Sequence, residues 1–283
     1  MATSDQLLVV IDPVARHSDG ESVRIAKDVL SAGAATKMCL PDGPEEFARA
    51  LARRGARRPV VVGDDRALLR AVTLLHRRRE LATTALSLVP VGGALSLART
   101  LGVPTGAVAA ARAVLDGAER RLDLLSDDSD GVVLGELRIP SVPTMPFPCE
   151  DAPLGGAVLS GRPWLRVRQS LVRTLVRPSR PLTAPSPGPS RLRIEVDGVL
   201  LVDLDQPVAG VRVAPDASGA AVVEVRPVSV GAEASPLAAR GRTVTVSGTD
   251  FRYRADTLVT GPVRSRTWTV RAGAWGLTVP PSA

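Results

Sequence analysis

Short apolar runs alternate with amphipathic stretches over residues 7–117. The runs at 7–11, 37–40, 59–62 and 86–89 are short and mostly apolar, and they predict buried parallel strands, because both faces of such a strand are covered. Between them, apolar residues recur at helical spacing over 22–32, 44–54 and 66–79, and two further helices are predicted near 95–101 and 105–117. This alternation predicts an α/β domain built from βαβ units around a parallel sheet.

The pattern changes after about residue 120. Residues 121–125 and 132–139 are predicted as strands on either side of an acidic turn, 127–131, whose Asp and Gly residues are typical of exposed turns. Beyond residue 191, short alternating segments with turns at Asp197-Gly198 and Ser247-Gly248 predict a mostly antiparallel β-sandwich domain. Its predicted strands include four separate ones at 243–247, 251–254, 267–270 and 275–279. The expected domains are therefore 1–125 (α/β), 126–190 (irregular, with a basic helix and a Pro-rich linker) and 191–283 (β-rich). The pattern leaves open whether the last strands return to the first domain.

Two glycine-bearing turns follow neighbouring strands. The first carries Gly63, Asp64, Asp65 and Arg66, and the second carries Gly92-Gly93. In an open parallel sheet both turns lie at the carboxyl ends of the strands, where ligands bind. A glycine turn that leads into a helix lets backbone N–H groups approach phosphate oxygens. The alternative is that both are ordinary strand-to-helix turns, with Gly present for tight geometry.

Composition narrows the function classes. The net charge is +7, but the basic residues are almost all Arg, and only 2% of the 283 residues are aromatic, which leaves few platforms for stacking bases; nucleic-acid binding is not expected. Cys39 and Cys149 lie far apart and only two histidines occur, so neither a disulfide framework nor a zinc site is indicated. No apolar run is long enough to span a bilayer and no signal-like segment is present, so a cytoplasmic protein is expected.

The order of these two turns resembles the signature of the bacterial diacylglycerol kinase and sphingosine kinase family of lipid kinases. Residues 62–66, VGDDR, correspond to the family's GGDGT turn, and residues 90–99, PVGGALSLAR, to its PLGTGNDFAR turn. The resemblance implies ATP and Mg²⁺ as cofactors and a lipid substrate. The nucleotide-binding residues that it implies are Gly63, Asp64, Asp65, Arg66, Gly92, Gly93 and Asp12. Asp12 follows the strand at 7–11 and stands for the Asn of the turn that the family has after its first strand.

Several positions depart from the family pattern. Asp65 and Arg66 replace Gly and Thr, and Asp65 is expected to bring a negative charge close to the phosphates unless a cation or Arg66 compensates it. The family's Asp-Gly-Glu turn, whose Asp is the presumed base, resembles Asp197-Gly198-Val199, so Asp197 is the candidate catalytic residue; the alternative is a plain hairpin turn.

The function implied by the resemblance is ATP-dependent phosphorylation of a lipid hydroxyl, weakened or lost because most polar positioning groups are replaced. The alternative is a non-catalytic relative, a pseudoenzyme that binds lipid, nucleotide or a protein partner.

A basic segment suggests a further contact. Residues 163–176 predict an amphipathic helix, on which Arg162, Arg166, Arg173 and Arg177 share one side. Attachment to an anionic membrane surface would suit a lipid substrate and a peripheral location. The commoner alternative is a packed surface helix with solvated arginines. No feature of the sequence indicates an oligomeric state.

Overall fold

The computed structural model describes residues 6–140, 189–228 and 235–281, and all of these belong to one compact unit. The predicted basic helix, the Pro-rich linker and Cys149 lie outside the described residues. No helix in the described part of the chain is both long and apolar enough to cross a bilayer.

The first part of the chain forms the predicted α/β sheet. Four parallel strands lie in the order β4-β3-β1-β2. The strands are β1 (Gln6–Ile11), β2 (Ala35–Cys39), β3 (Arg58–Gly63) and β4 (Ala85–Pro90). The helices are α1 (Pro13–Ser18), α2 (Gly20–Gly33), α3 (Pro44–Ala52), α4 (Asp65–Arg77), α5 (Ser96–Thr100) and α6 (Ala107–Asp116).

Alternation along β1 shows how the helices cover this sheet. Leu7 and Val9 belong to an apolar cluster that includes residues of α2 and α6. Leu8 and Val10 belong to a second cluster that includes residues of α3 and α4. Because successive side chains of a strand point to opposite faces, the helices form two layers with the sheet between them.

The second part of the chain is β-rich and mostly antiparallel, as predicted. Both β10 and β13 pair with β7 and β8, and this pairing encloses a core around Tyr253 and Trp268, whose rings meet edge to face at 5.1 Å. The strands are β5 (Ala118–Asp127), β6 (Val132–Val133), β7 (Leu137–Ile139), β8 (Ser190–Val196), β9 (Val199–Val202), β10 (Pro207–Pro215), β11 (Ala221–Pro227), β12 (Leu237–Gly241), β13 (Thr243–Ala255) and β14 (Leu258–Val279).

The last strand joins the two parts. β14 is 22 residues long; its first half pairs with β13, its second half pairs with β5, and near its end Gly276 and Leu277 also pair in parallel with β4. The hydroxyl of Ser87 in β4 donates to Thr278 in β14 at 2.9 Å, in a buried position. The final strand therefore returns to the first sheet, which the sequence pattern had left open.

Three local predictions are corrected. β14 was expected as two short strands, but a bulge between Arg271 and Trp275 lets one strand continue through residues that break the alternation. β13 likewise merges two predicted strands across the irregular register near Phe251. Residues 132–139 were expected to form one strand and instead divide into β6 and β7, because the intervening amides bind Asp256.

The shared strand predicts a cooperative unfolding transition. Leu277 in β14 is fully buried, so Leu277→Ala should lower the free energy of unfolding by about 2–5 kcal/mol. Because β14 belongs to both parts, far-UV circular dichroism and tryptophan fluorescence should report the same shifted urea midpoint. Leu258→Ala in the same strand is the matched control, since Leu258 is 53% exposed and should change stability by less than about 0.5 kcal/mol. Separate transitions in the two signals would contradict this account.

Candidate functional site

Three turns meet at the carboxyl edge of the parallel sheet. The amide of Asp12, after β1, donates to the carbonyl of Val62 at 2.9 Å, and the amide of Val91, after β4, donates to the carbonyl of Gly63 at 3.0 Å. A Cβ on Gly92 would lie 3.4 Å from the Cβ of Asp64. The structure thus brings together Asp12, Gly63, Asp64 and Gly92, as the strand order predicts. Their assignment to nucleotide binding stays a prediction.

Two glycines are required by this geometry. A Cβ on Gly63 would lie 2.6 Å from the Cβ of Ala67 and 3.0 Å from the Cβ of Asp12. Only Gly therefore lets α4 start so close to the turn after β1. Gly92 has a φ of +122°, a conformation that residues with side chains rarely adopt. Both glycines are therefore explained by the fold, whether or not a ligand binds.

Asp64 caps the amino end of α4. Its Oδ1 accepts hydrogen bonds from the amides of Arg66 at 3.0 Å and Ala67 at 3.1 Å, as expected of a residue at this position. Its Oδ2 accepts none from the residues that the structure describes, so this oxygen can hold a cation. No group of three or more metal-ligating side chains occurs among the described residues. The described residues therefore offer a divalent ion one carboxylate oxygen at this edge and no set of protein ligands.

Asp12 forms a partly buried ion pair that the sequence analysis did not anticipate. Its Oδ1 caps α1 by accepting from Val14 N at 2.9 Å, and its Oδ2 accepts from Arg70 Nη1 at 2.6 Å. The Arg70 guanidinium also lies 5.5 Å from the ring centroid of Phe47. Both oxygens of Asp12 are thus engaged within the protein. The one signal for Arg70 in the sequence is a basic residue one helical turn beyond Arg66.

Asp65 turns away from the edge. It is fully buried, and its carboxylate accepts from Leu97 N at 2.9 Å, Ala98 N at 3.0 Å and Ser96 Oγ at 3.1 Å, so it binds the first amides of α5. These donors stabilise its charge, whereas a cation or Arg66 was expected from the sequence to compensate it. The replacement of Gly by Asp at this position therefore builds a contact between α4 and α5.

Arg66 and Gly93 stay at the surface of the edge. The Arg66 side chain is exposed and makes no ion pair or hydrogen bond with the described residues. A Cβ on Gly93 would meet no atom within 4 Å. The backbone at Gly93 is therefore open to a ligand, with the Arg66 cation at the amino end of α4.

Asp197 lies away from the carboxyl edge of the parallel sheet. It occupies the exposed β8–β9 turn with φ of +50°, and its carboxylate accepts from Arg242 N at 2.9 and 3.1 Å and from Thr243 N at 2.8 Å. Arg242 and Thr243 line a cleft together with Arg77, at the carboxyl end of α4, whereas Asp64 caps its amino end. A helix of 13 residues separates its ends by about 18 Å. The structure does not bring Asp197 to the carboxyl edge, and its role as a base stays a prediction.

Asp256 is a carboxylate that sequence reasoning missed. It lies in the β13–β14 turn with φ of +49° and accepts from the amides of Leu134, Gly135 and Glu136 at 2.8, 2.8 and 3.0 Å. A Cβ on Gly135 would lie 3.0 Å from both Asp256 Oδ1 and Leu97 Cδ1 of α5, so Asp256 lies on the side of the β-rich part that faces α5. Burial raises the pKa of Asp256 by more than the three amides lower it. In sequence, Asp256 resembles any turn aspartate.

Comparisons with known proteins show which family and which fold this arrangement resembles. Residues 6–126 match the model of the family described as diacylglycerol kinase catalytic domain. The match spans the α/β part of the chain, which is therefore similar to a diacylglycerol kinase catalytic domain. No curated protein shows significant sequence similarity to the chain.

Solved structures extend the likeness to the whole fold. Crystal structures of a candidate diacylglycerol kinase from Bacillus anthracis are 13% and 12% identical, with TM-scores of 0.71 and 0.69, and each comparison covers 99% of both chains. A further structure of a diacylglycerol kinase from the same organism is 12% identical with a TM-score of 0.67, also over 99% of both chains. The diacylglycerol-kinase-like fold therefore includes the β-rich part.

The different environments of Asp64 and Asp65 predict different stability effects. Asp65→Ala leaves two buried amides of α5 without an acceptor and should lower the free energy of unfolding by about 3 kcal/mol. Asp64→Ala removes one helix cap and should lower it by about 1 kcal/mol. Urea unfolding of the two variants measures the difference. Equal losses would mean that the Asp65 contact with α5 adds nothing.

Proposed function

We propose that the chain is a diacylglycerol-kinase-like protein whose ATP-dependent phosphorylation of a lipid hydroxyl is weak or lost. The observation that carries this proposal is the engagement of its carboxylates inside the protein. Asp65 is bound by the first amides of α5, and Asp197 by the amides of Arg242 and Thr243. Phosphoryl transfer depends on positioning and on electrostatic stabilisation, so groups already engaged contribute little to either.

Nucleotide would bind at the carboxyl edge. The open backbone at Gly92 and Gly93 and the exposed Arg66 cation suit the phosphates of ATP, while Asp64 Oδ2 would hold Mg²⁺. When bound, the metal would offset the negative charge of the phosphates. Asp12 is held by Arg70 and would shape the floor of the edge without contacting the ligand.

The expected turnover is low. Removing one group that stabilises a transition state costs about 10²–10³ in rate, and this edge presents the apolar side chains of Ala94 and Leu95 beside Gly93. A competent kinase turns over at about 1–100 s⁻¹, so a rate several orders of magnitude lower is expected here. The acceptor lipid would be reached from the cytoplasm at an anionic membrane surface.

The second candidate function is a non-catalytic relative that binds nucleotide, lipid or a protein partner. The observation that favours it is the position of Asp197 near the carboxyl end of α4, away from the edge that carries Asp64. Asp256, on the side facing α5, is the other carboxylate to test as a base.

Calorimetric titration with ATP, with and without Mg²⁺, tests nucleotide binding first. We expect binding that strengthens with Mg²⁺ and weakens at least about tenfold in Asp64→Asn, which keeps a capping side chain but removes the charge. Asp116→Asn, at an exposed aspartate that ends α6, is the control and should bind as the parent does. Absence of binding at millimolar ATP would contradict the kinase proposal and leave the non-catalytic one.

Transfer of labelled phosphate from ATP to diacylglycerol in mixed micelles tests catalysis. We expect slow turnover that is lost in Asp64→Asn. Comparing Asp197→Asn with Asp256→Asn then decides which carboxylate, if either, acts as the base. Turnover at ordinary kinase rates that disappears in Asp197→Asn would contradict the weak activity proposed here.

A further inference from the structure

A cleft rich in arginine lies at the carboxyl end of α4, away from the edge that carries Asp64. Its volume is about 990 Å³. We call it the basic cleft and define it by the four arginines and two aspartates that line it, namely Arg77, Arg79, Arg242, Arg271, Asp127 and Asp130. Hydroxyls of Ser126, Thr243 and Thr269 line the same space. The lining thus combines four cations with two carboxylates and neutral hydroxyl groups.

The four arginines of the basic cleft outnumber its two aspartates, which leaves a net charge of +2 (4 − 2, with His76 neutral), and none of these arginines forms an ion pair with the described residues. Within the described part of the chain, the side chains of Arg77, Arg79 and Arg242 make no ion pair or hydrogen bond, and Arg271 donates to Ser126 Oγ at 3.2 Å. Asp127 is already bonded, since its Oδ1 accepts from Ser129 N, Ser129 Oγ and Gly131 N at 2.7–2.8 Å. Like charges around one cleft raise the free energy of the protein unless an anion is bound among them.

The arginines come from separate parts of the chain. A basic residue at the end of a helix is common, because the last carbonyls attract cations, and this explains Arg77. It does not explain Arg242, between β12 and β13, or Arg271, at the bulge of β14. Convergence of cations from three distant segments on one cleft indicates a binding site better than any single element does.

The backbone beneath two of these arginines is fixed. Asp197 holds the amides of Arg242 and Thr243, so the predicted catalytic residue acts here as a positioning residue for the cleft wall. Next to Arg271, the bulge is held by Asp123 Oδ1, which accepts from Gly273 N at 2.7 Å. Bulges re-aim side chains and occur often beside functional sites. Because their backbone is already held, these two arginines lose less conformational freedom when they bind a ligand.

We propose that the basic cleft binds a phosphate group carrying two negative charges, belonging either to a small soluble phosphate compound or to a lipid headgroup. Guanidinium groups pair with phosphate oxygens through charge-assisted hydrogen bonds, and the surrounding hydroxyls supply further donors. The site lies at the opposite end of α4 from the candidate nucleotide edge. The proposal therefore does not rest on the proposed kinase function.

Calorimetric titration of the full chain with inorganic pyrophosphate tests the soluble source. Arg77→Ala and Arg242→Ala should each weaken binding about tenfold, the loss expected for one charge-assisted pair. Arg112→Ala, at an exposed arginine of α6, is the matched control for lost charge, and Arg66→Ala is the control for binding at the other edge. Arg112→Ala should leave the affinity unchanged, and Arg66→Ala should leave unchanged the affinity of the site that Arg77→Ala and Arg242→Ala weaken. Thermal unfolding without ligand checks that each variant folds.

Sedimentation with phosphatidylcholine vesicles, with and without phosphatidic acid, tests the lipid source. Retention that needs phosphatidic acid and falls in Arg242→Ala, without binding of soluble pyrophosphate, would identify a lipid headgroup. Loss of binding in Arg66→Ala but not in Arg242→Ala would overturn the proposal, as would equal losses in Arg112→Ala or no binding of either probe.

The positioning role of Asp197 has its own readout. Asp197→Ala should weaken anion binding, and Asp197→Asn should restore most of it, because an amide oxygen can still accept from Thr243 N. Equal weakening in both variants would overturn this role, since the acceptor alone would not account for the effect.

Discussion

The whole structure depends on one strand that belongs to both of its parts. β14 pairs with β13 in the β-rich part and ends beside β4 in the parallel sheet, where Ser87 and Thr278 hydrogen-bond in a buried position. Unpaired backbone groups are costly when buried, so neither part can lose β14 without exposing a row of them. The carboxyl edge and the basic cleft are therefore held at fixed places on one framework.

Most of the predicted site carboxylates are engaged within the protein. Asp12, Asp65 and Asp197 each accept hydrogen bonds from groups of the protein itself, and Asp64 alone among the predicted site residues keeps a carboxylate oxygen for a cation. These engaged carboxylates hold turns and helices of the fold in place.

The sequence predicts local elements better than long-range contacts. Apolar runs placed all four parallel strands, and glycines placed the turns, because both depend on neighbours in the chain. The length of β14 was missed, since a bulge hides its continuity. The partner of Asp65 was missed because the bonded residues of α5 lie 31–33 residues further on, and the setting of Asp256 was missed because it depends on the gap between β6 and β7. The basic cleft joins residues from distant segments, which no local pattern shows.

The buried contact of Asp65 has a consequence for competition at α5. A tethered carboxylate is present at these amides at a high effective concentration, whereas a nucleotide arrives from solution at millimolar levels or below. A phosphate that binds the same amides must first displace the Asp65 carboxylate. This carboxylate is part of the chain, so it loses no translational entropy when it binds them again. The chain thus carries a permanent internal competitor for this spot, and any nucleotide it accepts is confined to the amides that Asp65 leaves free.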